Sequence, residues 1–309
     1  MAVAIPTYRR PHLLAAMLPR VAEQTDSLAA QGFATEIVVI DNDPERTAEA
    51  VVREFGGTVR YVCQPKPGIA AVRNRALDEV SSAALVFIDD DEIPQPEWLG
   101  RLVTTWTDTG ATGVVGRVRS VFETELDPWV AAGGFWDRVW WPTGTKVDAA
   151  ATGNLLLDVA QVRDLGVRFD EGLGLSGGED TLFTRQLTRR GGRIVWCAES
   201  IADDQVPPAR TTPRWLMRRA WSQGVSRATV ASRLAESPRD EAVARLGVLA
   251  RGFLRLVGGA GRLAWGRLTR RLDHQARGAR TMVRGAGMLA GSVGHTHQEY
   301  AAQRLGGRR

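Results

Sequence analysis

Short apolar runs alternate with longer stretches of helical spacing through the first third of the chain. Val3-Ala-Ile5 stops at Pro6-Thr7, and Glu36-Ile-Val-Val-Ile40 stops at Asp41-Asn42-Asp43-Pro44. Thr58–Val62 makes a third run and Ala84–Ile88 a fourth. Between them, residues 11–30 set Leu14, Met17, Leu18, Val21 and Ala22 on one helical face, a helical stretch follows to about Phe55, and Gly68–Val80 reads as another helix. This rhythm predicts an α/β fold with a doubly wound, mostly parallel sheet.

The pattern changes after about residue 115. Gly113–Phe122 reads as strand, followed by a loop carrying Trp129, Trp136, Trp140 and Trp141 and a short apolar segment, Asn154–Leu157. Gly177-Gly178-Glu179-Asp180 opens a helix running to about Arg190, Arg193–Cys197 reads as one more strand, and Trp215 to about Ala231 as a helix. Ser237-Pro238 marks a boundary, so the chain divides at this level into 1–115, 116–236 and a tail, 237–309. No internal repeat is visible.

Composition adds little until charge is mapped. A chain of 309 residues, 44% hydrophobic and 24% charged, is long enough for one large domain or two smaller ones and ordinary for a soluble protein. Cys63 and Cys197 stand far apart and outside any CxxC pattern, which fits a reducing cytosolic setting and no disulfide framework. The first residues lack the long apolar region of a signal peptide. Net charge is +5, but residues 238–309 hold 14 arginines, no lysine and four acidic residues, a net of +10, leaving −5 on the first 237. A basic tail on an acidic body points to an anionic partner, a membrane surface or a nucleic acid.

In that tail, Leu246, Leu249, Phe253, Leu256 and Val257 fall on one helical side with Arg251 and Arg255 opposite, and Arg262 and Arg267 interrupt any membrane span. The expected element is an amphipathic helix at the anionic cytoplasmic membrane surface. The other reading is a helical pair packed on the catalytic domain or a second subunit. Leu305–Arg309 is expected to fray.

Candidate chemistry concentrates at Leu85-Val-Phe-Ile-Asp89-Asp90-Asp91-Glu92, an apolar run ending in four carboxylates. Packing carboxylates together costs free energy unless a cation or donor-rich ligand offsets it, and the C-terminal edge of a parallel sheet is where open α/β folds bind ligands. A divalent cation carrying phosphates is the natural offset; a solvated turn with an acidic helix cap at Pro94-Gln95-Pro96-Glu97 is the plainer reading. Pro6-Thr7-Tyr8-Arg9 and Asp41 end neighbouring runs on the same edge, where Asp41 could accept from a base or ribose or simply shape a turn. Arg73 and Arg75 either face a diphosphate or form a solvated helix face. Glu179 and Asp180 either cap a helix or supply a general base. The tryptophans either stack on sugar rings or pack as a local cluster.

The ordered set Pro6-Thr-Tyr-Arg, Asp41, Gly68…Arg73-Asn74, Asp89-Asp-Asp91, Gly153-Asn154 and Gly178-Glu179-Asp180 resembles family 2 glycosyltransferases of GT-A fold, over roughly residues 1 to 232. The likeness is nearest to bacterial enzymes that extend exopolysaccharide or other cell-envelope glycans. It implies a nucleotide-sugar-binding half and an acceptor-binding, catalytic half of one domain. A nucleoside-diphosphate sugar, UDP foremost, would be held by Pro6, Thr7, Tyr8, Arg9, Asp41, Arg73, Asn74, Asp89 and Asp90. Mg²⁺ or Mn²⁺ would sit on Asp91. Asp180 would be the base for direct, inverting displacement, with Gly153, Asn154, Glu179, Trp140 and Trp141 on the acceptor side. The acceptor would be a glycan or lipid-linked hydroxyl, reached from the inner face of the cell membrane. One departure stands out: where many relatives carry a His after the base helix, this chain reads Ala202-Asp203-Asp204-Gln205. Asp204 is either a replacement oxygen ligand or a loop residue. Arg218 or Arg219, in an Arg-rich helix, would close over the diphosphate or remain solvated.

Two rival classes fit less. A nucleotidyltransferase would carry a glycine-rich phosphate loop and a lysine near the first strand, and this turn is Pro-Thr-Tyr-Arg. A basic-tailed nucleic-acid-binding protein leaves the carboxylate set unexplained, so no nucleic acid is expected.

Overall fold

The computed structural model describes residues 1–57, 59–174 and 176–295. Within them the chain divides into two compact units. The first takes in 1–121, 139–174 and 179–205, and the second takes in 122–138, 176–178 and the chain from Val206 onward.

The first unit begins with β1 (Ala2–Thr7), α1 (Pro11–Ala29), β2 (Glu36–Asp41), α2 (Glu49–Phe55), β3 (Val59–Cys63), α3 (Ile69–Glu79) and β4 (Ala84–Ile88). It continues through β5 (Glu92–Pro94), α4 (Trp98–Thr109) and β6 (Gly113–Phe122). After α5 (Pro128–Gly133), which belongs to the second unit, come β7 (Lys146–Val147), β8 (Asn154–Asp158), α6 (Val159–Asp164), α7 (Glu179–Arg189) and β9 (Ile194–Val206). Among the described residues the strands form one nine-stranded sheet in the order β3-β2-β1-β4-β8-β6-β9-β5, with β7 beside β9. β1 pairs in parallel with β2 and β4, and β2 with β3, as the alternating pattern predicts. Beyond β4 the pairings of β8 with β4 and β6, and of β9 with β5 and β7, are antiparallel. Thr58, expected in the third strand, lies outside the described residues.

The unbroken apolar runs follow from burial on both faces. Successive side chains of a strand point to opposite sides. Thus Ala2, Ala4, Val38, Ile40, Leu85 and Phe87 join one core with residues of α3 and α7. Val3, Ile5, Ile37, Val39, Val86 and Ile88 join the other with Leu14, Met17 and Leu18 of α1 and Trp98, Leu99 and Leu102 of α4. A run buried on both faces cannot alternate apolar with polar, and these do not. This double burial fixes the register that brings the ends of β1 and β2 level, with Thr7 opposite Asp41.

The second unit is built on α8 (Pro213–Arg233), α9 (Pro238–Leu268) and α10 (Leu272–Ser292). The expected tail helix is therefore a long hairpin, and its inner seam is glycine. Gly252, Gly259 and Gly266 recur every seventh residue on the buried side of α9, and Gly278, Gly285 and Gly287 are buried on α10. Leu249 and Leu256 of the expected stripe are half-buried, whereas Leu246, Phe253 and Val257 face outward. A Cβ on Gly285 would lie 2.6 Å from both the Gly252 carbonyl oxygen and the Leu256 nitrogen, so the backbones could not approach as they do. Gly285→Ala is expected to lower stability by about 1–3 kcal/mol through this overlap. Gly258→Ala, where a Cβ would meet nothing within 4 Å, is expected to raise it by roughly 1 kcal/mol through helix propensity. Urea denaturation of both variants checks the pair; equal effects would refute the close seam. The expected fraying at Leu305–Arg309 lies outside the described residues.

Candidate active site

The chain leaves β1 through Arg9, whose φ of 55° is left-handed and uncommon for a residue other than glycine. That bend sends Arg9 one way and Arg10 the other. Arg9 meets Asp43 at 3.2 Å and Glu45 at 3.0 Å. Arg10 donates from one nitrogen to Asp90 and to Asp91, each at 3.1 Å. Thr7, the last residue of β1, donates its hydroxyl to the other Asp90 oxygen at 2.8 Å. Asp90 is thus a buried anchor between β1 and the acidic turn. Burial pushes its pKa up to about 6, against the pull of Arg10.

Asp89 and Asp91 stand on either side of that anchor, with the Asp89 side chain 37% exposed. Desolvation raises the Asp89 pKa, Arg73 opposes the rise, and the nearby charges of Asp91, Asp180 and Asp204 reinforce it. Residues from α3, the turn between β4 and β5, α7 and β9 are therefore within electrostatic reach of one carboxylate. Asp204 arrives through the pairing of β9 with β5, directly opposite Glu92. Gly153 closes the group: a Cβ there would lie 2.6 Å from a Glu92 oxygen and 3.1 Å from an Asp89 oxygen, so only glycine fits without displacing them.

Arg73, on α3, is buried beneath this cluster. It donates to Glu179 at 2.6 Å, sits 3.7 Å from Asp89 and lies over the Phe169 ring at 5.8 Å. Glu179 is 4% exposed. Burial and the neighbouring Asp180 raise its pKa to about 7, although Arg73 pulls it down. Its second oxygen is buried without a hydrogen-bond partner among the described residues. Asp180, half-exposed on the first turn of α7, accepts from the Thr181 amide at 2.5 Å and the Thr181 hydroxyl at 3.2 Å through the same oxygen.

Other residues singled out from the sequence are committed to the scaffold. Asp41 is fully buried and accepts from the amides of Asp43 and Ala48 and from the Tyr61 hydroxyl, at 2.9, 3.1 and 3.0 Å. Asn74 exchanges hydrogen bonds with the backbone of Phe169 at 2.9 Å in each direction and reaches Glu171 at 3.1 Å. Asn154 accepts from the Trp98 indole at 2.9 Å and donates to the carbonyls of Arg117 and Ser200. Pro6 lies inside β1, and Tyr8 follows it. Trp140 is 58% exposed, and Trp141 packs edge-on against Trp196 at 5.3 Å. Arg10 carries no signal of its own in the sequence, whereas Glu92 and Asn42 belong to the polar strand ends. Asn42 holds the Gln64–Gly68 loop by donating to two carbonyls and accepting from the Gly68 amide. Among the described residues no three His, Cys, Asp or Glu side chains already form a metal-holding group.

A sheet whose parallel edge gathers these carboxylates over a buried arginine is the architecture of a GT-A glycosyltransferase. Residues 2–159 match the family model described as Glycosyl transferase family 2, and the chain belongs to that family. The chain is 35% identical over 231 residues to the succinoglycan biosynthesis protein ExoM of Rhizobium meliloti (strain 1021), covering 72% of each. Two solved structures share the fold. S. aureus TarS 1-349 in complex with UDP-GlcNAc aligns with a TM-score of 0.53 at 15% identity, over 92% of this chain and 91% of that one. GalNAc-T7 with UDP, GalNAc and Mn²⁺ aligns at 0.55 and 16%, over 78% and 51%.

Proposed function

We propose that this glycosyltransferase moves a sugar from a nucleoside-diphosphate donor, UDP foremost, to a hydroxyl of a growing polysaccharide or lipid-linked glycan, with inversion at the anomeric carbon. The observation that carries the reading is the convergence of Asp91, Asp180 and Asp204 on Asp89 above the buried Arg73–Glu179 pair. A relative named for succinoglycan biosynthesis and neighbours solved with UDP-GlcNAc and UDP support the substrate class.

In this reading Asp180 takes the acceptor proton through the carboxylate oxygen that Thr181 does not occupy. Base and leaving group on opposite sides of the sugar carbon, with no enzyme nucleophile between, give inversion. Asp89 faces the ribose, Tyr8 and Arg9 border the donor, and Gly153 borders the acceptor. Asp41, Asn74 and Asn154 act by building the walls, since their side chains are already bonded within the protein. Glu179 supports the acceptor side from below, and Trp140 and Trp141 offer ring faces to a sugar. Asp91 and Asp204 are hard oxygen donors that would hold Mg²⁺ or Mn²⁺. A cation held there would supply positive charge against the departing nucleoside diphosphate. The acceptor is reached at the cytoplasmic face of the membrane, against which the C-terminal helices rest; among the described residues no helix is long and apolar enough to cross it.

Calorimetry with UDP, GDP and dTDP, with and without Mn²⁺, tests the donor assignment. Binding of one nucleotide that requires the metal and weakens at least about 100-fold in Asp91→Ala is expected, the loss of one charged ligand. No nucleotide binding under any metal condition would refute the reading.

A further inference from the structure

The three long helices of the second unit, α8, α9 and α10, hold an arrangement that the proposed transfer does not use. Acidic residues occur in them only near two N-termini, Asp240 and Glu241 on α9 and Asp273 on α10. Arginines, by contrast, line the middle. At 100° per residue, Arg251, Arg255 and Arg262 share one flank of α9 between its glycine seam and its outer face. Arg277, Arg280 and Arg284 recur at spacings of three and four on α10.

Arg284 is where these rows meet. A Cβ on Gly224 of α8 would strike the Arg284 carbonyl, and a Cβ on the adjacent Gly285 would lie 3.0 Å from the Arg255 carbonyl carbon. Its guanidinium is largely buried with Arg227, Arg255 and Arg280 as its charged neighbours, and burial followed by their repulsion lowers its pKa to about 10. The Nε atoms of Arg284 and of Arg262 are buried and make no hydrogen bond among the described residues. Arg280 is differently placed: it donates to the Gly134 carbonyl at 3.3 Å and lies over the Phe135 ring. Buried like charges without an acid between them destabilise a fold unless an anion occupies the site.

The outer face of α9 supplies the second half of the observation. Leu246, Phe253, Leu254, Val257, Trp265 and Leu268 are all exposed there, a continuous apolar strip beside the arginine flank. No acidic side chain interrupts it beyond the first turn. Apolar strip and guanidinium row, side by side on one helix, match a ligand with a phosphate at one end and hydrocarbon at the other.

We propose that the α9–α10 seam binds the phosphate of an anionic membrane lipid through Arg255, Arg262 and Arg284, with the hydrocarbon against Phe253, Leu254 and Val257. This rests on the membrane setting of the proposed function and adds the headgroup chemistry and the residues that recognise it. The guanidinium fork suits phosphate oxygens, and its buried Nε gives it a donor that water does not already satisfy.

The test is co-sedimentation of the full chain with phosphatidylcholine vesicles, with and without phosphatidylglycerol, for wild type, Arg255→Gln/Arg284→Gln and Arg284→Lys. Binding that requires phosphatidylglycerol and falls about tenfold or more in the double variant is expected. Arg284→Lys should retain an intermediate affinity, because charge stays while the fork is lost. The melting temperature of the double variant should hold or rise, since the substitutions relieve repulsion and break no hydrogen bond among the described residues. Undiminished vesicle binding by the double variant would overturn the inference, as would equal binding to phosphatidylcholine alone. Capture of inorganic pyrophosphate without vesicle binding would assign the seam to a soluble anion instead. Self-association or RNA binding lost in the same variant, without vesicle binding, would give the surface to another partner. Nucleotide calorimetry on the same samples separates the two readings: intact UDP binding with failed sedimentation sinks this inference alone, and the converse sinks only the donor assignment.

Discussion

Asparagine in place of Asp180 is expected to lower kcat by roughly 100- to 10,000-fold while UDP affinity changes little. The substitution is nearly silent for the fold. Asp180 accepts from the Thr181 amide and hydroxyl through one oxygen, and an asparagine carbonyl oxygen can accept both. What disappears is the basicity of the other oxygen, which makes no hydrogen bond among the described residues. Glu179, one residue earlier, is a poor substitute because it is buried and held by Arg73 at 2.6 Å. Glu179→Gln should therefore cost much less in kcat than Asp180→Asn. Steady-state kinetics with a UDP-sugar donor, beside nucleotide calorimetry, reads both quantities. A kcat within tenfold of wild type would remove Asp180 from the base role.

Double burial made β1, β2 and β4 legible in the sequence. They are continuous apolar runs because helices cover both faces, and each run ends in a polar residue at the ligand edge, whereas β3, an edge strand with Arg60 inside it, is only partly buried. Their carboxyl ends carry Thr7, Asp41 and the triple aspartate, so the edge itself could be located. Helix α4 was not anticipated. Its buried residues Trp98, Leu99, Leu102 and Val103 have helical spacing, but Pro94 and Pro96 ahead of it suggested only a turn and a cap. β9 is far longer than Arg193–Cys197 because Asp203 and Asp204 lie within it, residues whose polarity reads as loop. Asp203 is tolerated there because Arg119 holds both its oxygens, at 2.7 and 2.8 Å. Pairing of that kind links positions far apart in the chain and leaves no periodic trace. Arg10 is invisible for the same reason: it looks like a solvated helix start until the fold brings Asp90 and Asp91 to it. The glycine seam of α9 and α10 was hidden in a different way. Apolar periodicity does not mark it, because the close packing there depends on residues that have no side chain.

Methionine in place of Arg73 is expected to destabilise the protein by about 3–5 kcal/mol near pH 8, because it strands Glu179 as a buried charge. Arg73 donates to one Glu179 oxygen, and the other has no hydrogen-bond partner among the described residues, so apart from its own backbone amide little there compensates the carboxylate. The loss should depend on pH, and its sign follows from the raised pKa. Glu179 titrates near 7 in the fold against 4.5 in the unfolded chain, so between these values the folded state binds the extra proton. Stability from this group is then fully present below about 4.5 and is lost as pH rises through about 7. Removing Arg73 takes away the charge that favours the ionised form by direct contact, so the pKa climbs further and protonation becomes the way out. Near pH 5.5 the neutral acid is available and the cost of Arg73→Met should shrink; near pH 8 it should be largest. Glu179→Gln supplies the neutral side chain at every pH, so the double variant should recover most of the loss at pH 8. Urea denaturation of the four proteins at the two pH values gives the complete cycle. An equal loss at both pH values, with no recovery in the double variant, would mean that Arg73 contributes through packing on Phe169 instead of through the charge of Glu179.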